Sequence, residues 1–442
     1  MERGINRILN IAAVQGFECE VYGEEMRRLQ VEVYRGEIES VSRSSDAGIG
    51  IRLVRDARVG HACTSDLTSW ALDDAFREAK ENVSASSPME VDVLADYHDI
   101  ETGERGCRKL PSEDSMAMKV YGVRNMEQAC LDFDPAVVNI EGAGYYEVSG
   151  EIMVASTRGF FRREKRGLCS CSLSAVAQRN GEVRSGWYYD QALDPRNIDF
   201  SGVGREAARR AVGLLGSERI ATRRYSIILD GAAFTDIIGL FERALSAEMV
   251  VKGTSVLAGK LKTPVAPEIF TLVDDPFMEG GCFNSSFDAE GVPTRRCILV
   301  ESGILKGFLH DTYSARKMDV SSTANAVRAS FKSFPAPGPT NFYLLPGDRG
   351  TEEMVKDLEE GIFVQDIMGM HTADPISGDF SVGIEGHYIH AGTVTASIGE
   401  MTMSGNILDL LQAIVEVGRD MVFIGQYGSP PVLVEELSVS GT

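Results

Sequence analysis

The chain has 442 residues, of which 43% are apolar and 25% are charged, and its formal net charge is −21. This composition is typical of a folded globular protein, and the length favours two domains over one. The negative charge disfavours general binding to nucleic acid or acidic lipid surfaces, and no run of about 18 apolar residues could span a bilayer. No secretory signal is visible, so we expect a cytoplasmic protein with reduced thiols.

The first half of the chain predicts helices that alternate with antiparallel strands. The predicted elements are a helix over 5–15, strands at 17–22, 29–34, 37–42 and 48–54, a helix from Asp66 or Thr68 to about 84, a helix over 112–130, strands at 136–148, 151–159 and 168–178, and a helix over 202–215. Helix, strands and helix occur twice in this order. The repetition indicates an internal duplication, although the residue identities do not repeat clearly.

After residue 223 the pattern changes to short strands separated by Gly and Pro. The predicted elements are a strand at 225–229, helices over 232–251, 352–360 and 405–417, and a last strand at 432–439 that pairs inside the main sheet. We therefore predict an α+β protein of two domains. Residues 1–220 form an N-terminal domain with a helix and a strand meander, and residues 221–442 form a β-rich domain with covering helices.

Motifs for a metallohydrolase are missing from the sequence. Such a site needs three converging ligands and an open position for water. Neither H-E-x-x-H nor H-E-x-x-x-H occurs among the six histidines, which are His61, His98, His310, His371, His387 and His390. On a straight strand His387 and His390 would point to opposite faces, so together with Glu385 they do not predict a shared metal ion.

Other motifs also favour structural roles. There is no G-x-S-x-G elbow and no Walker A motif, and the G-x-G pairs at Gly48 and Gly142 lack a third glycine. Asp274-Asp275 precedes a proline, which is more typical of a turn than of catalytic carboxylates.

Two further clusters have a structural interpretation. Cys169 and Cys171 would face the same side of a strand, which favours buried thiols over metal ligands. The basic segment 162–166 is more typical of a solvated strand end or hairpin than of a nucleic-acid patch.

Several blocks in the C-terminal half keep a recognisable order and spacing. They are residues 253–259 (GTSVLAG), 271–275 (TLVDD), 290–294 (EGVPT), 300–308 (VESGILKGF), 340–347 (TNFYLLPG), 378–381 (GDFS) with Gly386 and Gly392, and the tail 439–442 (VSGT). With these blocks the chain resembles the TldD/PmbA family of cytosolic metallopeptidases. The N-terminal half matches that family in outline, around residues 48–52 (GIGIR).

The resemblance also shows where this chain differs from the zinc-binding residues of the TldD branch. In the TldD branch, zinc is held by a helical H-E-x-x-x-H and by a cysteine near the C-terminus. The corresponding helix, residues 234–248, contains no histidine, and no cysteine follows Cys297. Glu242 keeps the acidic type, and we interpret it as an acid on an exposed helix face. The chain therefore resembles the PmbA/TldE branch, and we expect no catalytic residue, metal ligand or cofactor in it.

The resemblance implies a peptidase family that acts on unfolded or short peptides and is also named for modulation of DNA gyrase. It implies that a TldD-like paralogous partner holds the zinc, and that this chain, as a non-catalytic subunit, closes the chamber and holds an extended peptide. Two alternatives remain. One is a homodimeric peptide-binding module without turnover. The other is an independent hydrolase with a site around His371, Asp374, Asp379 and Glu385.

Overall fold

The computed structural model describes residues 1–96 and 115–441. Its N-terminal half contains one antiparallel sheet in the order β3-β2-β1-β4-β5-β6. The strands are β1 (Glu18–Tyr34), β2 (Glu37–Arg55), β3 (Arg58–Thr64), β4 (Val137–Ser156), β5 (Phe160–Arg179) and β6 (Glu182–Ala192). The helices are α1 (Glu2–Val14), α2 (Ser69–Ala85), α3 (Met116–Leu131) and α4 (Phe200–Gly213). They cover the sheet face on which odd-numbered residues of β1, such as Val21 and Val31, are buried.

The elements of this half follow one order twice. A helix, three strands and a helix are followed by a second helix, three strands and a helix. The first strands of the two repeats, β1 and β4, lie at the centre and pair antiparallel, with Met26 opposite Gly150. The topology therefore contains the predicted duplication.

The predicted meander has fewer and longer strands than expected. β1 and β2 contain 17 and 19 residues, because the polar segments that divide them in the sequence are also paired. Arg27, for example, lies opposite both Ser45 and Ser149. Ladder hydrogen bonds satisfy the backbone whatever the side chain, so an outward polar run does not end a strand. The predicted strands at 136–148 and 151–159 join into β4 for the same reason.

The predicted turns and helix starts agree with the structure more closely. Arg35-Gly36 and Asn180-Gly181 have positive φ angles, between 53° and 86°, as tight hairpin turns require. Thr68, one of the two predicted caps, accepts a hydrogen bond from the amide of Ala71 at the start of α2. The predicted start of α3 at Ser112 lies outside the described residues.

The C-terminal half contains two six-stranded sheets and a small hairpin. Its strands are β7 (Arg223–Leu229), β8 (Leu272–Asp274), β9 (Cys297–Glu301), β10 (Ile304–Leu305), β11 (Ala326–Val327), β12 (Ala336–Pro337), β13 (Phe342–Leu344), β14 (Glu360–Met368), β15 (Asp379–His390), β16 (Thr393–Asn406), β17 (Ile414–Val417), β18 (Val422–Ile424), β19 (Tyr427–Ser429) and β20 (Val432–Ser440). One sheet has the order β16-β15-β14-β7-β20-β17, and β16 also pairs with β20, so five strands close into a barrel. The other has the order β10-β9-β8-β13-β19-β18.

Five α-helices accompany these sheets within residues 221–441, and two of the helices predicted for this half differ from the structure. They are α5 (Gly231–Leu245), α6 (Ala247–Val251), α7 (Thr312–Lys317), α8 (Thr351–Asp357) and α9 (Ile407–Gln412). The helix predicted over 232–251 breaks at Ser246, where the backbone is extended. Here the amide of Ala247 donates to the carbonyl of Leu309, and the amide of Leu309 donates to the carbonyl of Leu245. The helix predicted over 405–417 is limited to α9, because Ile414–Val417 pairs with β20 instead.

The α+β fold class and the central position of the last strand are confirmed. β20 lies between β7 and β17, and its apolar residues contribute to the largest buried cluster of the C-terminal half. The domain boundary near residue 220 stays a prediction. Within the part of the chain that the structure describes, no helix has the length and apolar character needed to cross a membrane.

Candidate functional site

The outer face of the N-terminal sheet meets the C-terminal half of the chain. Side chains from both halves form one buried apolar cluster, which includes Tyr22, Met26, Ile152, Val154, Phe160, Phe287, Ala289, Ala326 and Phe331. Beside it opens a cavity of about 290 Å³, lined by β1, β4 and β5 on one side and by residues 283–294 and 324–340 on the other. We refer to this cavity as the cleft. Cavities between domains with apolar walls and a few polar groups are common ligand sites.

Four buried charges lie next to the cleft and join the two halves. Arg52 Nη2 donates to Glu20 Oε2 at 2.7 Å and to Glu290 Oε1 at 2.9 Å. Arg328 donates to the other oxygen of Glu20, and the amide of Thr312 donates to Glu290 Oε2 at 2.8 Å. None of these four charged side chains is more than 4% exposed. Two guanidinium groups and two carboxylates therefore balance within a buried network that neither half completes alone.

Two glycines of β2 allow close contact with a loop of the C-terminal half. A Cβ atom at Gly50 would lie 2.1 Å from the carbonyl oxygen of Phe331, and one at Gly48 would lie 2.2 Å from its ring. The amide of Phe331 also donates to Glu24 Oε2 at 2.9 Å. The G-x-G pair, which has no nucleotide-binding context, thus has a structural explanation in the contact between the halves.

The basic segment 162–166 is not simply a solvated strand end, so this prediction is wrong for part of it. Glu164 is buried and accepts hydrogen bonds from Ser285 Oγ at 2.9 Å and from the amide of Ser286 at 2.7 Å. Arg166 donates to Glu164 and to Ser285, whereas Arg163 lies outward and pairs with an acid of β4. Alternation along β5 turns every second charge toward the C-terminal half.

The pair Asp274-Asp275 divides into two roles. Asp275 Oδ1 accepts from the amide of Phe277 at 2.9 Å, which confirms the predicted turn. Asp274 is 1% exposed instead, and it accepts from Asn325 Nδ2 at 2.6 Å and from the amide and hydroxyl of Thr340 at 2.6 and 2.9 Å. Burial raises the pKa of Asp274 to about 6 despite these donors. The carboxylate therefore orders the loops that form one wall of the cleft.

Glu242 is not on an exposed helix face, so that prediction is wrong. It is partly buried on α5, and burial raises the pKa of its carboxyl to about 7, against the opposing effects of Arg243 and the Tyr427 hydroxyl. At the H-E-x-x-x-H spacing its flanking positions hold Phe241 and Ser246, which are 1% and 8% exposed. A carboxyl with this pKa can exchange a proton near neutral pH, but a phenyl ring supplies no zinc ligand.

The three histidines between residues 371 and 390 lie in different surroundings. His387 stacks on Phe363 with ring centroids 6.4 Å apart, and burial lowers its pKa. His390, at the end of β15, is exposed. His371 lies in a short 3-10 helix, Met370–Thr372.

The remaining described histidines are buried elsewhere. His61 packs on Phe334 with centroids 4.7 Å apart, and His310 Nδ1 lies 3.4 Å from Ser314 Oγ. Burial lowers the pKa of both rings to about 4, so both are neutral at pH 7. His98 lies outside the described residues. Across residues 1–96 and 115–441, no three His, Cys, Asp or Glu side chains converge as ligands of one metal ion.

The acids proposed for an independent hydrolase shape a loop. Asp374 Oδ1 accepts from the amide of Ile376 at 2.8 Å, and Asp379 Oδ1 accepts from Asn406 Nδ2 at 2.8 Å. Glu385 lies farther along β15, where burial raises its pKa. These contacts explain the polar segment 369–381 as an ordered turn between β14 and β15.

Cys169 and Cys171 follow the prediction of buried thiols. Cys169 and Cys171 both lie in the core beneath α3 and α4. The Cys169 thiol donates to the carbonyl of Ala192 at 3.1 Å, and burial raises its pKa to about 12. All described cysteines are free, and Cys107 lies outside the described residues.

Family models match most of the chain. The domain 1 model of the PmbA/TldA metallopeptidases matches residues 19–83, the central-domain model matches 107–215, and the C-terminal-domain model matches 222–441.

Full-length relatives and solved structures agree with these family models. The chain is 26% identical over 450 residues to metalloprotease PmbA of Escherichia coli O157:H7, covering 100% of this chain and 96% of that protein. It is 26% identical over 435 residues to a metalloprotease TldD homolog of Buchnera aphidicola, covering 90% and 87%. The structure of TldE from Thermococcus kodakarensis superposes with a TM-score of 0.90 at 25% identity, covering 99% and 100%. A Thermotoga maritima protein, described as a supposed modulator of a DNA gyrase, gives 0.90 at 28%, with the same coverage.

Proposed function

The chain belongs to the PmbA/TldD metallopeptidase family, and from this premise we propose that it is a PmbA/TldE-type, non-catalytic subunit of a cytoplasmic peptidase. A TldD-like partner supplies the zinc ion. The two chains enclose an unfolded or short peptide, which this chain helps to hold in an extended form.

The surroundings of Glu242 carry this proposal. A catalytic zinc ion needs three protein ligands and one open position. On α5, Phe241 occupies the position before the acid and belongs to the core of the C-terminal half. Replacing Phe241 by a metal-binding residue would remove its packing in this core as well as change the chemistry of the position. This helix is therefore built as a core element, and its Glu242 carboxyl is left without imidazoles on the same turn.

The cleft supports a role in holding peptide. It lies between the two halves, and its walls combine apolar side chains with a few polar groups. In the second C-terminal sheet, β18 is an edge strand, whereas the outer side of β10 already pairs with the backbone of residues 262–263. An extended peptide can pair with such an edge through its backbone, a mode that requires no catalytic side chain.

The test is zinc content and peptide cleavage of the purified full chain, alone and after mixing with a TldD-like chain from the same source. We expect no stoichiometric zinc and no cleavage for the chain alone, and zinc-dependent cleavage in the mixture. A Glu242→Gln variant should leave the cleavage rate of the mixture within about twofold. Stoichiometric zinc with turnover in the isolated chain, or a mixture no more active than the partner alone, would contradict the proposal.

A further inference from the structure

One residue that lines the cleft has a buried acceptor atom that the described part of the fold leaves unused. Asn325 lines the cleft and is 2% exposed. Its Nδ2 donates to Asp274 Oδ2 at 2.6 Å and to the carbonyl of Gly338 at 3.3 Å. Because a carboxylate and a carbonyl can only accept, these contacts fix which end of the amide is the nitrogen. Asn325 Oδ1 has no hydrogen-bond partner within residues 1–96 and 115–441.

An unused buried acceptor is unfavourable, so this oxygen favours a ligand that brings a donor. Such a group has lost its hydrogen bonds to water without gaining one from the protein. Asp274 holds the amide in place, since its oxygens also accept from the amide and hydroxyl of Thr340. The oxygen is therefore positioned before any ligand arrives, which reduces the entropic cost of binding.

The rest of the wall selects an apolar body. Met26, Ile152 and Leu168 line the cleft from the sheet, and Phe283 and Val327 line it from the C-terminal half. The cavity volume of about 290 Å³ is at the small end of ligand pockets, which suits one bulky side chain with its adjoining backbone.

The charges at the cleft do not favour an anion. Arg166 is already hydrogen-bonded to Glu164, and Arg328 is committed to Glu20. Each guanidinium thus has a carboxylate of the same chain beside it. A ligand must instead present a hydrogen-bond donor and an apolar group.

We propose that this cleft is a peptide subsite of the chain itself, which takes one bulky apolar residue and accepts its backbone N–H at Asn325 Oδ1. Other ligands could also donate a hydrogen bond to this oxygen, and the choice of a peptide rests on the proposed function. The subsite goes beyond that function by assigning residue selectivity to this chain rather than to the zinc-bearing partner.

The first experiment measures binding to the full chain alone by titration calorimetry, without partner and without zinc. The probes are acetyl-Ala-Leu-Ala-amide, the same peptide with aspartate in the middle, and the leucine peptide with its central nitrogen methylated. We expect saturable binding of the leucine peptide and at least tenfold weaker binding of the other two. Methylation removes the donor while leaving the protein unchanged, so a folding defect cannot imitate the result.

A protein variant tests the location. Val327→Trp places a large ring at the cleft from a position that is 39% exposed, so the fold should tolerate it. We expect at least a tenfold loss of leucine-peptide affinity with an unchanged melting temperature. The matched control is Val394→Trp, at an exposed valine of β16 away from the cleft, which should bind as the parent does.

The outcomes separate this inference from the proposed function. No saturable binding, equal affinity for the leucine and aspartate peptides, or unchanged binding by Val327→Trp would overturn the subsite, even if the mixture with a TldD-like chain cleaves peptides. Binding with the expected selectivity would sustain the subsite even if that mixture is inert.

Discussion

The helix-covered face of the N-terminal sheet is apolar, whereas its outer face combines apolar side chains with buried charges where it meets the C-terminal half. On the first face, burial of groups such as Phe76 against Phe17 supplies a large but non-directional stabilisation. On the second, Arg52 must reach carboxylates of both halves at hydrogen-bond distance. The comparison teaches that the apolar face holds each half together, while the charged face specifies how the halves are placed and shapes the cleft.

The largest expected effect comes from breaking the charged network. Arg52→Met leaves Glu290 buried without a guanidinium, and removing one partner of a buried ion pair costs about 3–5 kcal/mol. Urea denaturation at pH 7 measures this change in the free energy of unfolding. The control is Arg7→Met, because Arg7 and Asp73 form an ion pair with side chains 43% and 46% exposed, for which the cost is at most about 1 kcal/mol. Equal losses in the two variants would contradict the contrast between buried and exposed charges.

A pH-dependent effect of intermediate size is expected at Glu242 on α5. Its pKa of about 7 in the folded chain lies above the ordinary value of 4.5. The fold therefore favours the protonated carboxyl, and its contribution to stability is complete below about pH 4.5 and lost as the pH rises through 7.

The variant Glu242→Gln cannot ionise and should remove this dependence. We expect it to be more stable than the parent by about 2–3 kcal/mol at pH 8, with the difference vanishing near pH 4. Thermal unfolding across this pH range is the measurement. Glu248→Gln serves as the control, since Glu248 pairs with Lys252 on the surface and should show no such trend. A Glu242→Gln difference that is constant with pH would show that folding does not shift the pKa of this carboxyl.

A smaller effect is expected from adding one methyl group between the halves. Gly50→Ala sets a Cβ atom against the backbone oxygen of Phe331, which can move only if the contact between the halves loosens. We expect a loss of about 1–3 kcal/mol and faster limited proteolysis between the halves. Gly144→Ala is the matched glycine, because its Cβ would have its nearest neighbour at 3.5 Å, an ordinary contact distance. Similar behaviour of the two variants would mean that close approach at Gly50 is unimportant.

Local patterns predicted much of the fold. The spacing of Ile5, Ile8 and Ala12 gave the first helix, and all three residues are buried. Turn residues such as Asn180-Gly181 marked the hairpins correctly. Strand lengths were wrong, because a polar run such as residues 23–28 looks like a loop until two neighbouring strands are known to satisfy its backbone.

The candidate site was less accessible to such reasoning. The absence of histidine from α5 is visible in the sequence, but the partial burial of Glu242 depends on Tyr427, almost two hundred positions away. Nothing in the sequence distinguishes Asn325, since a single asparagine carries no periodic signal. Only its pairing with Asp274 fixes the orientation of its amide.

By itself the sequence determined the two helix–strand repeats, the β-rich second half, the family resemblance and the absence of histidine from the α5 segment, because each is written in neighbouring residues or in ordered blocks. The tertiary structure decided the continuity of the long strands, the burial of Glu164, Glu242 and Asp274, and the cleft between the halves. The physical reason is distance along the chain: Arg52 and Glu290 are 238 positions apart, and Glu20 and Arg328 are 308 apart. Whether such charges are solvated or buried against each other depends on which surfaces meet, and periodicity within one strand or helix contains no information about that.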